Sequence, residues 1–127
     1  MVRFGKPPYL ECSSRGEKRL SAFYARVRGR SIEEHYQAAK KFADGRTGLS
    51  WREAKGLRPV NIEECRALYS SLWDEYIGAH PELLELLLQE SGLQDLFGQP
   101  GHACQAEELW RIRCKEWLTR RAMEGSC

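Results

Sequence analysis

Apolar residues recur at threes and fours through most of the second half of the chain, and that spacing predicts helices. The clearest run is Ile62, Cys65, Leu68, Tyr69, Leu72, Trp73, Tyr76 and Ile77, which fall on one face at about 100° per residue. Asn61 stands where a cap belongs, Glu64 is placed to complete a capping box, and Gly78 ends the run. His80-Pro81-Glu82 opens a further helix, with proline near its first position and an acidic side chain at its positive end. Its leucines, Leu83, Leu84, Leu86, Leu87 and Leu88, cover most of the circumference, so this helix is expected to be buried. Leu93-Gln94-Asp95-Leu96-Phe97 reads as a short helix or turn, and Gly98 to His102 as a loop. A last helix is expected from about Ala103 to Met123, with Ala106, Leu109, Trp110, Arg113, Trp117 and Leu118 inward.

The first thirty residues follow a different pattern. Val2-Arg3-Phe4 and Tyr9-Leu10-Glu11-Cys12 are short extended segments separated by Pro7-Pro8, which exclude a helix there. Ser13 to Gly16 is turn chemistry, and Leu20 to Val27 reads as a strand running into an Arg28-Gly29-Arg30 turn. The expected fold is therefore mainly α with an α+β element: a single compact helical domain over 1–127 carrying short N-terminal strands or a β-hairpin. After Phe42 comes a glycine-rich connection that lacks the Gly-Lys-Ser/Thr ending of a phosphate loop. Ser50 is placed to cap a short helix containing Trp51 and Ala54, ended by Gly56.

The stretch from Ser31 to Phe42 carries the candidate chemistry. Ser31 caps a helix, with Glu34 at the position of a capping box. Ile32, His35, Tyr36, Ala39 and Ala43 share the core-facing stripe, while Glu34, Ala38 and Lys41 face water. Glu33, Gln37 and Lys40 form a column at the stripe's edge, with Glu33 and Lys40 about 10 Å apart along the axis. A carboxylate, an amide and an amine half-sunk at a core boundary can face one ligand together. The same column also fits a plain helix flank whose long polar side chains snorkel.

The run Ser31-Ile32-Glu33-x-x-Tyr36-Gln37-Ala38-x-Lys40, led in by Leu20-Ser21-Ala22-Phe23-Tyr24, resembles the signature helix of the NADAR (YbiA-like) family. The resemblance implies cleavage of N-glycosidic bonds in ADP-ribosyl or ribosyl-phosphate compounds, including ADP-ribosylated bases and riboflavin-pathway intermediates. It marks Glu33 and Lys40 as catalytic, and Gln37 as a ribose contact. Tyr36, Phe23 and Tyr24 become candidates to stack on a base, and Arg113 resembles the arginine of the family's final helix. The chemistry suits these residue types. Glycosidic cleavage passes through a cation-like ribose centre that a carboxylate can stabilise, and a desolvated lysine can attack an opened sugar. On that reading Glu33→Gln or Lys40→Ala abolishes hydrolysis and leaves the melting temperature within a few degrees. Phe97-Gly98, Ala103 (with Gln105 as a substitute) and Glu75 depart from the family pattern, which implies a divergent member with an altered substrate or one that binds without cleaving.

Charge and composition narrow the picture. With 42% hydrophobic residues and 30% charged, the chain can build one core. The net charge of +2 does not by itself imply nucleic acid, but basic residues crowd both ends, Arg15 to Arg30 and Arg111 to Arg121. If those ends meet, they make a basic face, and the alternative function is a non-catalytic nucleotide or nucleic-acid binding module. Arg113 itself is either packed along its stem or aimed into a pocket as an anion clamp. Five cysteines without paired spacing point to a reducing, cytoplasmic setting. His102, Cys104 and Cys114 lack a fourth partner for zinc, so neither a metal nor a cofactor is expected. The first residues lack the apolar run of a leader peptide, and no stretch is apolar enough to span a membrane. The partner that the family resemblance implies is a phosphorylated ribosyl small molecule or an ADP-ribosylated nucleic acid.

Overall fold

A computed structural model of the chain describes residues 2–3, 10–11, 17–89, 93–95 and 105–125, with the strands at 2–3, 10–11 and 93–95 described by their backbone. Helices dominate. In chain order the elements are strands β1 (Val2–Arg3) and β2 (Leu10–Glu11), a 3₁₀ turn (Lys18–Leu20), strands β3 (Arg26–Val27) and β4 (Arg30–Ser31), and helices α1 (Ile32–Ala38), α2 (Trp51–Ala54), α3 (Ile62–Gly78) and α4 (Pro81–Gln89). Strand β5 (Leu93–Asp95) and helix α5 (Gln105–Gly125) complete them. Mainly α with a small hairpin is thus the fold, as expected. The segments expected as a turn at 13–16 and a loop at 98–102, and residues Cys12, Arg15, Phe97, His102, Ala103, Cys104 and Cys127, lie outside the described residues.

The hairpin β3–β4 closes through Arg28 and Gly29, which have φ of +51° and +82°. A two-residue connection with both angles positive matches the right-handed twist of its strands, and Gly29 adopts it without steric penalty. Arg28 accepts the strained conformation, and its guanidinium lies 2.5 Å from the Glu75 carboxylate on α3. Leu20 to Val27 is not one strand. The Ser21 carbonyl accepts from the amides of both Tyr24 and Ala25, folding the chain into a turn and leaving only Arg26–Val27 extended. Leu93–Asp95, expected as helix or turn, is a strand between β1 (antiparallel) and β2 (parallel). Those partners are some ninety residues away in sequence, where a local reading has no access to them.

The core forms where α1, α3, α4 and α5 meet the turn at 20–27. Leu20, Ile32, Leu72, Trp73, Leu83, Leu87 and Leu109 are buried there. Trp73 lies between Tyr69 and Tyr76, edge-on to each at 6.4 and 5.6 Å. Its Nε1 is buried with no hydrogen-bond partner among the described residues. Trp73→Phe removes that orphan donor together with some ring volume. The two effects oppose, so the loss of stability is expected to stay below about 1.5 kcal/mol, against the ~3–5 kcal/mol of a Trp→Ala truncation. Urea unfolding of the two variants side by side measures the difference.

Some faces are narrower than the pattern implied. On α4 only Leu83 and Leu87 are fully buried, one turn apart, and Leu84, Leu86 and Leu88 are half-buried. On α5, burial stops at Ile112, and Trp117 and Leu118 stand 44% and 62% exposed rather than inward. Past that point α5 meets α4 through an ion pair between Arg120 and Glu85, and the Arg121 guanidinium lies over the Trp117 ring at 4.7 Å. Among the described residues no helix is long and apolar enough to cross a membrane.

Candidate functional site

Helix α1 forms as read at its start and ends sooner than read. The Ser31 hydroxyl accepts from the Glu34 amide at 3.1 Å, and Glu33 and Glu34 sit at the positive end of the helix. His35 Nε2 donates to the Val27 carbonyl at 2.7 Å, pinning the helix to the hairpin. After Ala38 the chain leaves the helix. Lys40 therefore lies beyond it, and Ala43, expected on the core stripe, is exposed.

What turns the chain is Asn61. Its Oδ1 accepts from the Lys41 amide at 2.8 Å and its Nδ2 donates to the Ala39 carbonyl at 2.9 Å. The expected cap of α3 is absent, because this side chain is committed to the main chain on both sides of Lys40. Between those two anchors the Lys40 side chain runs inward to 2% exposure. Its Nζ donates to the carbonyls of Ala54 (3.2 Å) and Leu57 (2.9 Å) at the end of α2, and sits 5.5 Å from the centroid of the Tyr36 ring. Ala54 is the last residue of α2, whose start is fixed by a full capping box of Ser50 with Glu53, and Leu57 lies in the turn that follows, its amide bonded to the Ala54 carbonyl. Burial holds the Lys40 amine below its ordinary pKa, and the Glu33 carboxylate and Cys65 thiol pull it partly back. Cys65 is itself buried on α3, and its Sγ donates to Asn61 Oδ1 at 3.5 Å.

Gln37 and Glu33 form the other half of the arrangement. Gln37 is 4% exposed, and its Nε2 donates to Glu33 Oε1 at 2.7 Å. A carboxylate only accepts, so this bond fixes which end of the amide is nitrogen. The opposite atom, Gln37 Oε1, is then a buried acceptor with no partner among the described residues. A buried unsatisfied acceptor is costly, on the order of 1–3 kcal/mol. Glu33 is half-buried, and its amide donates to the Ala22 carbonyl at 2.9 Å. Ala22 N in turn donates to Gln105 Oε1 at 2.7 Å, so Gln105, at the start of α5, anchors the lead-in turn.

The remaining candidates divide. Tyr36 is half-buried and edge-on to Tyr69 at 5.2 Å, facing α3 and the Lys40 amine. Phe23 and Tyr24 are exposed, and Phe23 meets Trp51 of α2 edge-on at 5.7 Å. Arg113 lies elsewhere. Its guanidinium stacks over Trp110 at 4.7 Å and its Nε donates to the Leu87 carbonyl at the end of α4. The structure therefore brings Glu33, Gln37, Lys40 and Tyr36 together, and gives Arg113 its described contacts on α4 and α5. Sequence reading passed over Asn61 as a clamp and Trp51 as a neighbour of Phe23. An asparagine two residues after Pro59 and a tryptophan directly after a cap are the only local signs of either.

No known protein family matches the chain, and neither does any curated protein. The geometry has to speak for itself. Part of the basic character at the two ends is paired off: Arg19, Arg28, Arg111 and Arg120 are each engaged by a carboxylate. Among the described residues no cluster of His, Cys, Asp and Glu is arranged to hold a metal ion.

Proposed function

We propose that this chain is an N-glycosidase-type hydrolase of NADAR-like character, acting on an ADP-ribosyl or ribosyl-phosphate compound. The observation that carries the reading is Gln37 Oε1, a buried acceptor without a donor among the described residues, on the side chain whose Nε2 is bonded to the half-buried Glu33 carboxylate. A ribose hydroxyl is a donor of the right size and polarity to complete it. With the sugar held there, the Glu33 carboxylate is the group that stabilises the cation-like anomeric carbon or accepts a proton from water. Lys40 is a fixed positive charge that acts on Glu33 as long as it holds the Ala54 and Leu57 carbonyls. It becomes a nucleophile toward an opened sugar only by releasing them. Tyr36 flanks the amine. The free thiols Cys65 and Cys114 accord with a reducing, cytoplasmic setting.

The test is ligand-induced stabilisation. ADP-ribose, NAD, ribose 5-phosphate and guanine nucleotides are screened by thermal shift, where a ligand at 100 times its Kd adds about 2.7 kcal/mol to the folded state. Gln37→Leu is expected to fold as well as the unaltered chain, because it removes the orphan acceptor along with the amide. It is also expected to lose the ligand-induced rise in Tm. A Gln37→Leu protein that responds to the ligand undiminished overturns the site.

A further inference from the structure

A second surface adjoins the polar trio, whose Glu33 and Lys40 bond the carbonyls of Ala22 and Ala54 beside it. The turn that buries Ala22 and Ala25 puts Phe23 and Tyr24 outside, at 46% and 52% exposure. Phe23 contacts Trp51, and Trp51 carries two cations over its ring, Arg52 at 5.4 Å and Lys55 at 5.8 Å. Lys18 stands over the Tyr24 ring at 5.3 Å. Three aromatic rings and three cations thus run along one patch. Among the described residues none of these three cations forms an ion pair, whereas Arg19, Arg28, Arg30, Lys41, Arg46, Arg66, Arg111 and Arg120 all do.

We infer that this patch is a platform for single-stranded nucleic acid. Flat rings interleaved with cations that form no ion pair among the described residues match a ligand that offers flat π-faces and regularly spaced negative charge. Long lysine and arginine side chains can leave a ring for a phosphate while a base takes their place on it. A duplex keeps its base faces stacked inside and offers this surface phosphates alone. An acidic peptide supplies the charge without the faces. The platform needs neither Glu33 nor Gln37, so it goes beyond the hydrolase reading and stands or falls separately.

The experiment is fluorescence anisotropy of a labelled oligothymidylate with the full chain across a salt series. A DNA hairpin of equal charge serves as the duplex comparison and polyglutamate as a competitor. Three phosphates at about 0.7 each give an expected log–log salt slope of roughly −2. The triple variant Lys18→Gln/Arg52→Gln/Lys55→Gln is expected to bring that slope close to zero. Trp51→Ala is expected to weaken binding about 5- to 150-fold and to keep the slope, since stacking is worth ~1–3 kcal/mol per base. Phe23→Ala/Tyr24→Ala, altering exposed rings, gives a second stacking variant with little reason to unfold. Glu33→Gln is expected to bind the oligonucleotide as the unaltered chain does. The proposal is overturned if the oligonucleotide does not bind or if the triple variant keeps its slope. It is equally overturned if the hairpin binds as tightly, or if polyglutamate displaces the strand at matched charge.

Discussion

Lys40→Met is expected to lower the unfolding free energy by about 2–4 kcal/mol, a large share of the stability of a domain this size. Methionine fills the same channel without a donor. The Ala54 carbonyl, buried, and the Leu57 carbonyl, partly buried, then lose their partner. A buried carbonyl left unpaired costs about 1–3 kcal/mol. Relief from holding an ammonium away from water offsets part of this, which is why the net figure is not larger. The pH dependence separates the two contributions. Burial places the folded-state pKa of Lys40 below the 10.5 of an exposed lysine. Between those two values the unfolded chain binds a proton that the folded chain has released, so stability rises with pH through that window. Below the folded-state value both states are charged and the contribution is flat. The stability gap between the unaltered chain and Lys40→Met is therefore expected to widen toward alkaline pH and level off near 10.5. Denaturant melts across that range measure it. A Lys40→Met protein within ~0.5 kcal/mol of the parent at neutral pH rules out this role for the amine. Loss of activity in a Lys40 variant, Lys40→Ala included, thus reports on folding and chemistry together, contrary to the expectation of an unchanged melting temperature.

Glu33→Gln has the opposite profile. Turnover is expected to fall about 10²- to 10⁴-fold, the usual range for removing a general acid or base. Stability is expected to change by less than about 1 kcal/mol, because Glu33 is half-buried and the new amide oxygen still accepts from Gln37 Nε2. The Glu33 backbone bond to Ala22 is untouched by the substitution. Release of guanosine and ADP-ribose from ADP-ribosylated guanosine, followed chromatographically, gives the readout, with a thermal melt alongside. Undiminished release would take the carboxylate out of the reaction. The two variants together distinguish a residue that holds the site from one that would act in it.

Helix periodicity carried most of the fold, and it failed where distant partners decide. The face of α3 from Cys65 to Ile77 was legible because one contiguous core covers it, and Ser31 and Ser50 were legible because capping is local. Leu93–Asp95 was not, since its conformation is set by strands at the other end of the chain. Lys40 was named from its place in a helical column, yet the helix stops two residues before it. Asn61 holds the main chain on either side of Lys40, and the amine itself is held by the Ala54 and Leu57 carbonyls some fifteen residues on, contacts with no periodic signature. Arg113 was named from its place between two tryptophans, and that ambiguity resolved toward Trp110 and the end of α4. Gln37 became more informative in three dimensions than in the sequence, because only burial exposes the mismatch between its two amide ends.

The excursion after Lys41 closes on itself. Phe42 N bonds to the Arg46 carbonyl, Lys41 bridges to Thr47, and Asp44 is tied to Arg46. Among the described residues, the hydrogen bonds of its exposed tip at Asp44-Gly45 run to Phe42 and Arg46. A dye or peptide tag grafted there would ride a few residues from the Lys40 amine without straining it, giving ligand capture an optical reporter built into the chain.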